Sequence, residues 1–277
     1  MNLYKEPQWS AELARAAELA RAAGAAVLEK YGKVDRLLKL GDEAVTEADR
    51  ASQRLIVWGL RSRFPKDGIV GEENDAGDAI TFDVSNPAGR NWVIDPIDGT
   101  NNFIAGLGIF AVCIGLLDAG KPVLGVVYDV TRDQLYAAAD GRGAWLGTRR
   151  LTALKTPLAD NAVLMLTSNL LGPDGKAPAY ARRWLDQTSW KIRILGSAAI
   201  EAVQVAAAVA HGAVTLNGKL WDIAASAAVA IEAGAVVTDP QGNAIFPFNL
   251  TGYRGAKVPY VLAGPAAHAE LLREMRR

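Results

Sequence analysis

The chain is poor in the residues that most often advertise chemistry: among 277 positions there are one cysteine and two histidines. A single cysteine, Cys113, excludes an internal disulfide and a thiolate metal cluster. Its apolar surroundings at 109–117 mark it as a buried structural thiol. His211 and His268 stand in no recognisable nucleophile setting, which counts against a serine or cysteine hydrolase. His268 is expected to be exposed on a terminal helix, and His211 to sit at a helix end. There is no GxxxxGK[ST] motif, which counts against a nucleotide-dependent kinase. Neither charge is in excess, because 30 basic residues balance 30 acidic ones. Without a basic field, binding of a nucleic-acid polymer through bulk charge is not expected. No run of about 18 apolar residues lacks a charge, and the opening MNLYKEPQWS has no signal core. A membrane partner is therefore not expected, and a cytoplasmic location is. What remains is a hydrophobic content of 50%, enough for one large core or two closely packed ones.

The apolar periodicity changes along the chain. Leu13, Ala16, Ala17, Ala20, Val27, Leu28 and Tyr31 recur at helical spacing and predict a helix over 8–31. A short extended piece follows near 37–40. Thr46, with Asp49 three residues on, predicts the capped start of a second helix that ends before Pro65. A loop is expected over 66–90. Residues 107–147 predict an antiparallel meander, with strands at 109–117, 122–129 and 134–138. The second half alternates: strands at 162–167, 191–195, 213–216, 235–238 and 259–263, and helices at 178–187, 198–210, 221–233 and the C-terminus. That alternation points to a layered α/β half. The likeliest subdomain boundary falls near 150–160, giving an N-terminal part over 1–155 and a C-terminal part over 156–277.

The densest chemistry lies in WVIDPIDGTNNF at 92–103. An apolar strand delivers Asp95, and Pro96 is expected to stop its ladder. Asp98 follows, then Gly99, where the backbone can approach a ligand closely, and Thr100. Carboxylates suit a hard cation, and free amides at a helix start suit an anion. Together they suggest a metal-bridged phosphate. Glu72 and Glu73 follow the apolar Ile69-Val70 in the same way, and Asp222 opens a helix after Trp221. Singly, each acid has a plain structural role: Asp49 in a capping box, Asp98 and Asp222 as helix caps, Glu72 and Glu73 as a solvated loop. Oxygen-only ligands gathered at element ends match what Mg²⁺ requires.

On these residues the chain resembles the inositol monophosphatase family of Mg²⁺-dependent, Li⁺-sensitive phosphatases. The resemblance rests on AVTEAD at 44–49, GEEN at 71–74, WVIDPIDGTNNF at 92–103, LGSAA at 195–199 and WDIAASAAVAIEAGA at 221–235, in matching order. It implies an α+β sandwich of alternating helix and sheet layers (αβαβα), and a homodimer. It implies that Glu72, Asp95 and the carbonyl of Ile97 hold one Mg²⁺, and that Asp95, Asp98 and Asp222 hold a second. A looser third ion would sit near Glu72. Thr100 and Asp49 would orient or activate the attacking water, and the amides of Gly99 and Thr100 would grip the phosphate. Glu73 would position bound water or the Thr100 region, and Lys39 would approach the third ion's waters or the phosphate. Metals about 3.5–4 Å apart can stabilise both the entering and the leaving oxygen of an in-line displacement.

One position departs from the family pattern. Members that take myo-inositol phosphates commonly carry a glutamate seven residues before the WD aspartate; here that residue is Thr215. Thr215 and Ser197 are candidate substrate contacts, and Glu201 is a nearby acid that can replace the missing one. The expected activity is a Mg²⁺-dependent phosphomonoesterase for a small metabolite, such as an inositol-like, histidinol or sugar phosphate. Fructose bisphosphate and 3′-phosphonucleotides are alternatives. A catalytically silent, dimeric metal-binding relative is the reading from another class.

Overall fold

The computed structural model describes residues 8–33, 37–38, 44–73, 81–168, 170, 175–186 and 188–277. Helix α1 (Ser10–Lys30) buries Ala16, Leu19, Ala20, Ala23 and Val27 on one face, the stripe that its periodicity predicts. A short antiparallel pair, β1 (Leu37–Leu38) and β2 (Ala44–Val45), precedes α2 (Glu47–Arg63). Thr46 Oγ1 accepts from the amides of Ala48 and Asp49, and the Asp49 carboxylate accepts from the Thr46 amide at 2.8 Å. This reciprocal cap fixes where α2 begins.

The first sheet has eight strands. These are β3 (Gly68–Gly71), β4 (Thr81–Asp83), β5 (Arg90–Asp98), β6 (Ala111–Asp118), β7 (Lys121–Asp129), β8 (Gln134–Ala139), β9 (Ala144–Leu146) and β10 (Arg149–Leu151). Their spatial order is β10-β9-β8-β7-β6-β5-β3-β4. The predicted meander is present, antiparallel throughout from β5 to β10. The expected loop over 66–90 instead contributes β3, which pairs parallel to β5, and the edge strand β4. Only the end of β3, at Ile69-Val70, is marked by the sequence; both strands are short, at four and three residues, so the rest of the segment reads as loop. A six-residue helix, α3 (Thr100–Ala105), sits between β5 and β6.

The second sheet contains β11 (Val163–Leu166), β12 (Lys191–Arg193), β13 (Gly212–Thr215), β14 (Val236–Thr238) and β15 (Tyr260–Ala263), in the order β12-β11-β13-β15-β14. It is mixed: β11 runs parallel to β12 and β13, and β15 runs antiparallel to β13 and β14. The helices are α4 (Ala179–Asp186), α5 (Ala198–Ala206), α6 (Leu220–Glu232) and α7 (Pro265–Arg276). α5 stops four residues short of its predicted end, because Ala208 adopts a left-handed conformation, φ 61°.

Three apolar clusters define five layers. One joins α1 and α2 to the first sheet, through residues such as Leu19, Ile56, Trp92 and Ile114. A second seals α5 and α6 between the two sheets. A third packs α4 and α7 on the far side of the second sheet, around Trp184, Leu166 and Leu271. The architecture is therefore an αβαβα layered sandwich, as expected. The alanine-rich helices α5 and α6 form the middle layer, which explains their lack of a polar face. Gly115 and Gly125 pair across β6 and β7, and a Cβ on Gly125 would lie 2.0 Å from the Ala225 carbonyl oxygen. α6 thus lies almost directly on the sheet backbone, an approach that only glycine permits.

Both histidines depart from expectation. His268 is buried on the inner face of α7, with Nε2 3.0 Å from Thr238 Oγ1, and burial lowers its pKa. It lies on the turn that docks α7 against the sheet, so a polar residue type was a poor guide to its exposure. His211 lies beyond the end of α5 at the entry to β13, where its Nδ1 accepts from the Val163 amide at 3.2 Å.

Candidate active site

The site forms where β5 breaks its regularity. The strand does not stop at Pro96. Asp95 pairs with Cys113, and after a register shift Asp98 pairs with Ala111. A proline deletes one ladder bond, and here the ladder bulges instead of ending. In a regular strand, residues three apart face opposite sides. The bulge allows Asp95 and Asp98 to face one point. Asp222, in the first turn of α6, completes a set whose carboxylate oxygens lie within 4.8 Å of one another.

Asp95 and Asp222 are held by near neighbours in sequence, and Asp98 by another element. Asp95 Oδ1 accepts from the Ile97 amide at 3.1 Å. Asp222 Oδ2 accepts from the Lys219 amide at 2.7 Å. Asp98 lies at the N-terminus of α5, where it accepts from the amides of Ala198 at 3.1 Å and Ala199 at 2.9 Å and from the Ser197 hydroxyl. Glu72 follows β3, and its amide donates to the Ile94 carbonyl at 3.2 Å, which sets it beside Asp95.

None of the ion pairs among the described residues involves Asp95, Asp98 or Asp222. Buried carboxyls without a cation resist ionisation. Burial, then Glu72, pushes Asp95 well above the usual carboxylate range. Asp222 rises to about 8 through burial and the charge of Asp98. Asp98 rises only to about 6, because burial is opposed by the donors from Ser197, Ala199 and Ala198. Clustered oxygen donors that pair with no cation among the described residues fit a hard divalent ion, which would draw their protons off.

Beside this set, Thr100 Oγ1 lies 3.1 Å from Asp49 Oδ1 and 2.9 Å from the Ile97 carbonyl oxygen. A hydroxyl has one proton, so it donates to only one of these acceptors at a time. The other Asp49 oxygen is taken by the Thr46 amide and by Thr46 Oγ1 at 2.6 Å. Asp49 therefore acts as helix cap and as Thr100 partner at once. Burial raises its pKa to about 6. Gly99 begins α3 with φ 94°, and a Cβ there would meet the Ile109 carbonyl oxygen at 2.9 Å. No other residue type fits this turn without strain.

The remaining expected residues are distributed as follows. Ser197 caps α5 and spends its hydroxyl on Asp98. Thr215 is buried in β13 and lines a small cavity beside Asp98 and Asp222. Glu73 turns toward a groove lined by Arg50, Gln53 and Trp58 on α2. Lys39 lies outside the described residues.

Several supporting residues escaped the sequence reading. Gln53 brackets Glu73: Oε1 accepts from its amide at 2.9 Å, and Nε2 donates to its carbonyl oxygen. Ser52 Oγ donates to the Pro96 carbonyl at 3.0 Å, holding the bulge. Asn102 Nδ2 ties α3 to the second half through the Leu195 carbonyl at 2.7 Å. Ser52 and Gln53 left one usable signal, since both fall on the buried face of α2 with Asp49 and Ile56. A polar residue on an apolar stripe has a partner to find.

With this geometry in place, the likenesses can be stated. The model of the inositol monophosphatase family matches residues 9–277. The chain is 31% identical over 234 residues to an inositol-1-monophosphatase of Bacillus subtilis, covering 84% of this chain and 83% of that one. It is 34% identical over 233 residues to a fructose-1,6-bisphosphatase/inositol-1-monophosphatase of Thermotoga maritima, covering 82% and 84%. The crystal structure of the extragenic suppressor protein suhB from Bartonella henselae superimposes with a TM-score of 0.85 at 29% identity, over 97% of this chain and 99% of that one.

Proposed function

We propose, from the premise that this chain belongs to the inositol monophosphatase family, that it hydrolyses the phosphomonoester of a small metabolite with Mg²⁺ at the carboxylate cluster. The observation that carries this reading is the Thr100–Asp49 contact, closed across 51 residues beside three carboxylates that pair with no cation among the described residues. Phosphate release with Mg²⁺, abolished by EDTA, tests it.

Glu72, Asp95 and the Ile97 carbonyl would hold one ion, and Asp95, Asp98 and Asp222 a second, with two to three ions per site. When bound, the ions supply Lewis-acid polarisation of the phosphoryl group and acidify water at the site. The chain does the rest. Gly99 leaves room for a phosphoryl oxygen against the backbone, where the amides of Gly99 and Thr100 would grip it. Engaging the Ile97 carbonyl directs the Thr100 proton to Asp49 Oδ1, which leaves the Thr100 oxygen lone pairs to accept from the attacking water. As that water loses its proton to Thr100, Thr100 would pass its own to Asp49. No covalent enzyme intermediate is needed. Ser197 and the α5 amides keep Asp98 in place, so Ser197 serves the site as a positioning residue. A homodimer acting on small phosphorylated metabolites, away from membranes and nucleic-acid polymers, completes the proposal. No helix among the described residues is long and apolar enough to cross a membrane.

A further inference from the structure

Behind Asp98 and Asp222 lies a cavity of about 120 Å³ whose walls include Thr167, Thr215, Asn217 and Glu201. It opens from the carboxylate cluster, so under the phosphatase reading it is where the alcohol of the substrate would lie. Three features of its walls bear on which alcohol it would take. First, Thr215 puts a short neutral side chain on β13. Thr167 Oγ1 donates to Asn217 Oδ1 at 2.5 Å, so that part of the wall is neutral and already ordered.

Second, the acid is on α5. Glu201 is 1% exposed, and one oxygen, Oε1, accepts from the amides of Leu195 at 2.7 Å and Gly196 at 3.1 Å. Its other oxygen is the one left for a ligand. Burial pushes this carboxyl up to about 8, with Asp98 adding to the effect. None of the ion pairs among the described residues involves Glu201. Third, among the described residues no lysine, arginine or histidine lines the cavity. Lys219, next to its wall residue Gly218, lies with its ammonium 5.2 Å from the centre of the Trp221 ring.

Resting on the phosphatase reading, we infer that Glu201 is a specificity-determining residue and that the preferred substrate is the phosphate ester of a small alcohol bearing an ammonium group. A buried carboxylate with no protein cation is stabilised by a cation from the ligand, through a charge-assisted hydrogen bond. A second phosphate or a carboxylate on the alcohol meets neutral groups and acids there, with no counter-charge among the described residues. The volume acts in the same direction: ligand pockets for larger molecules span roughly 300–1,000 Å³, so a nucleoside outgrows this one.

The test is a kcat/KM panel with Mg²⁺ on the full chain. It spans amino-alcohol phosphates (phosphoethanolamine, histidinol phosphate), neutral polyol phosphates (glycerol 2-phosphate, inositol 1-phosphate) and anionic esters (3-phosphoglycerate, fructose 1,6-bisphosphate). p-Nitrophenyl phosphate serves as a substrate that makes no such demand. The expected order is ammonium-bearing, then neutral, then anionic, with the first exceeding the last by about 100-fold. Glu201→Gln keeps a carbonyl oxygen for the Leu195 and Gly196 amides, and should shrink the ammonium-to-neutral ratio at least tenfold. Hydrolysis of p-nitrophenyl phosphate with a flat or reversed panel overturns this inference alone. So does an equal loss on all substrates in Glu201→Gln, which marks Glu201 as only a loop cap. If Glu201→Gln fails to fold, the wild-type panel still decides. No Mg²⁺-dependent hydrolysis of any ester overturns the phosphatase reading itself.

Discussion

Strand β5 carries acids against both of its ends, and the two ends treat them differently. Near its start, Asp67 accepts from Arg90 and from the indole of Trp92, each at 2.9 Å. Arg90 also pairs with Glu12 at 2.9 Å and lies over the Trp9 ring. There the acids have a protein cation, and the network ties α1 to the sheet. At the other end, Asp95, Asp98 and Asp222 converge, and none of them pairs with a cation among the described residues. An acid matched by arginine holds the fold together. Acids packed together unmatched raise the energy of the empty fold and hold it ready for an ion. The difference in partners, not the residue type, separates a structural cluster from a binding one.

The comparison is broken most sharply at Asp95. Asp95→Asn is expected to abolish Mg²⁺-dependent turnover while the circular dichroism and the melting transition remain those of a folded protein. Turnover within tenfold of wild type, at unchanged Mg²⁺ dependence, would remove Asp95 from its bridging role. Thr100→Ala follows, with kcat down about 10²–10⁴-fold and half-saturating Mg²⁺ nearly constant. Thr100→Ser should recover most of the loss, because the hydroxyl is what matters. A collapse in Mg²⁺ affinity with intact single-turnover chemistry would argue against the relay.

Acidity separates the two ends next. Folded-state pKa values of about 6 for Asp98 and about 8 for Asp222 lie above the ordinary 3.8. Between those limits the metal-free folded protein binds more protons than the unfolded chain, so this contribution to stability is lost as pH rises from about 4 to about 8. Mg²⁺ needs the deprotonated acids, so its stabilising effect should grow over the same range. Melting temperatures in EDTA and in Mg²⁺ at pH 5.5 and 8 measure both. An EDTA midpoint that climbs with pH would contradict the raised values.

Gln53→Ala tests the bracket behind Glu72. Half-saturating Mg²⁺ should rise several-fold, in line with the 10–100-fold effects of supporting residues, with a smaller change in kcat. The smallest functional effect belongs to the structural end. Arg90→Ala should cost about 1–2 kcal/mol, a few degrees in melting temperature, and leave kcat and Mg²⁺ dependence within twofold. A large loss of turnover at full folding would show that the two ends of β5 are coupled.

The legible residues are those whose role is set by near neighbours in sequence. The Asp95–Thr100 run, the Thr46–Asp49 cap and the strand end before Glu72 each join an element boundary to a reactive side chain within a few residues. Asp222 was legible because Trp221 and the alanine run mark the helix that it opens. The order of β6 to β10 was legible too, since hairpins join sequence neighbours. Ser197, by contrast, was read as a substrate contact, and its hydroxyl goes to Asp98, 99 positions away. Ser52 and Gln53 looked like two more polar residues of a surface helix.

The sequence by itself determined which carboxylates stand at element ends and which turn can approach an anion, because backbone propensities and the absence of a proline amide act locally. It did not determine that the Pro96 irregularity would be a bulge, since that depends on β6 continuing to pair beyond it. Nor did it determine that His268 would be buried against Thr238, or that the acids near Asp67 would find an arginine while Glu201 forms no ion pair among the described residues. Charge pairing and burial are properties of what the fold brings alongside, over separations of up to about 100 residues. Only the packing of α5 and α6 between two sheets set those distances, and with them which acids are left for a ligand.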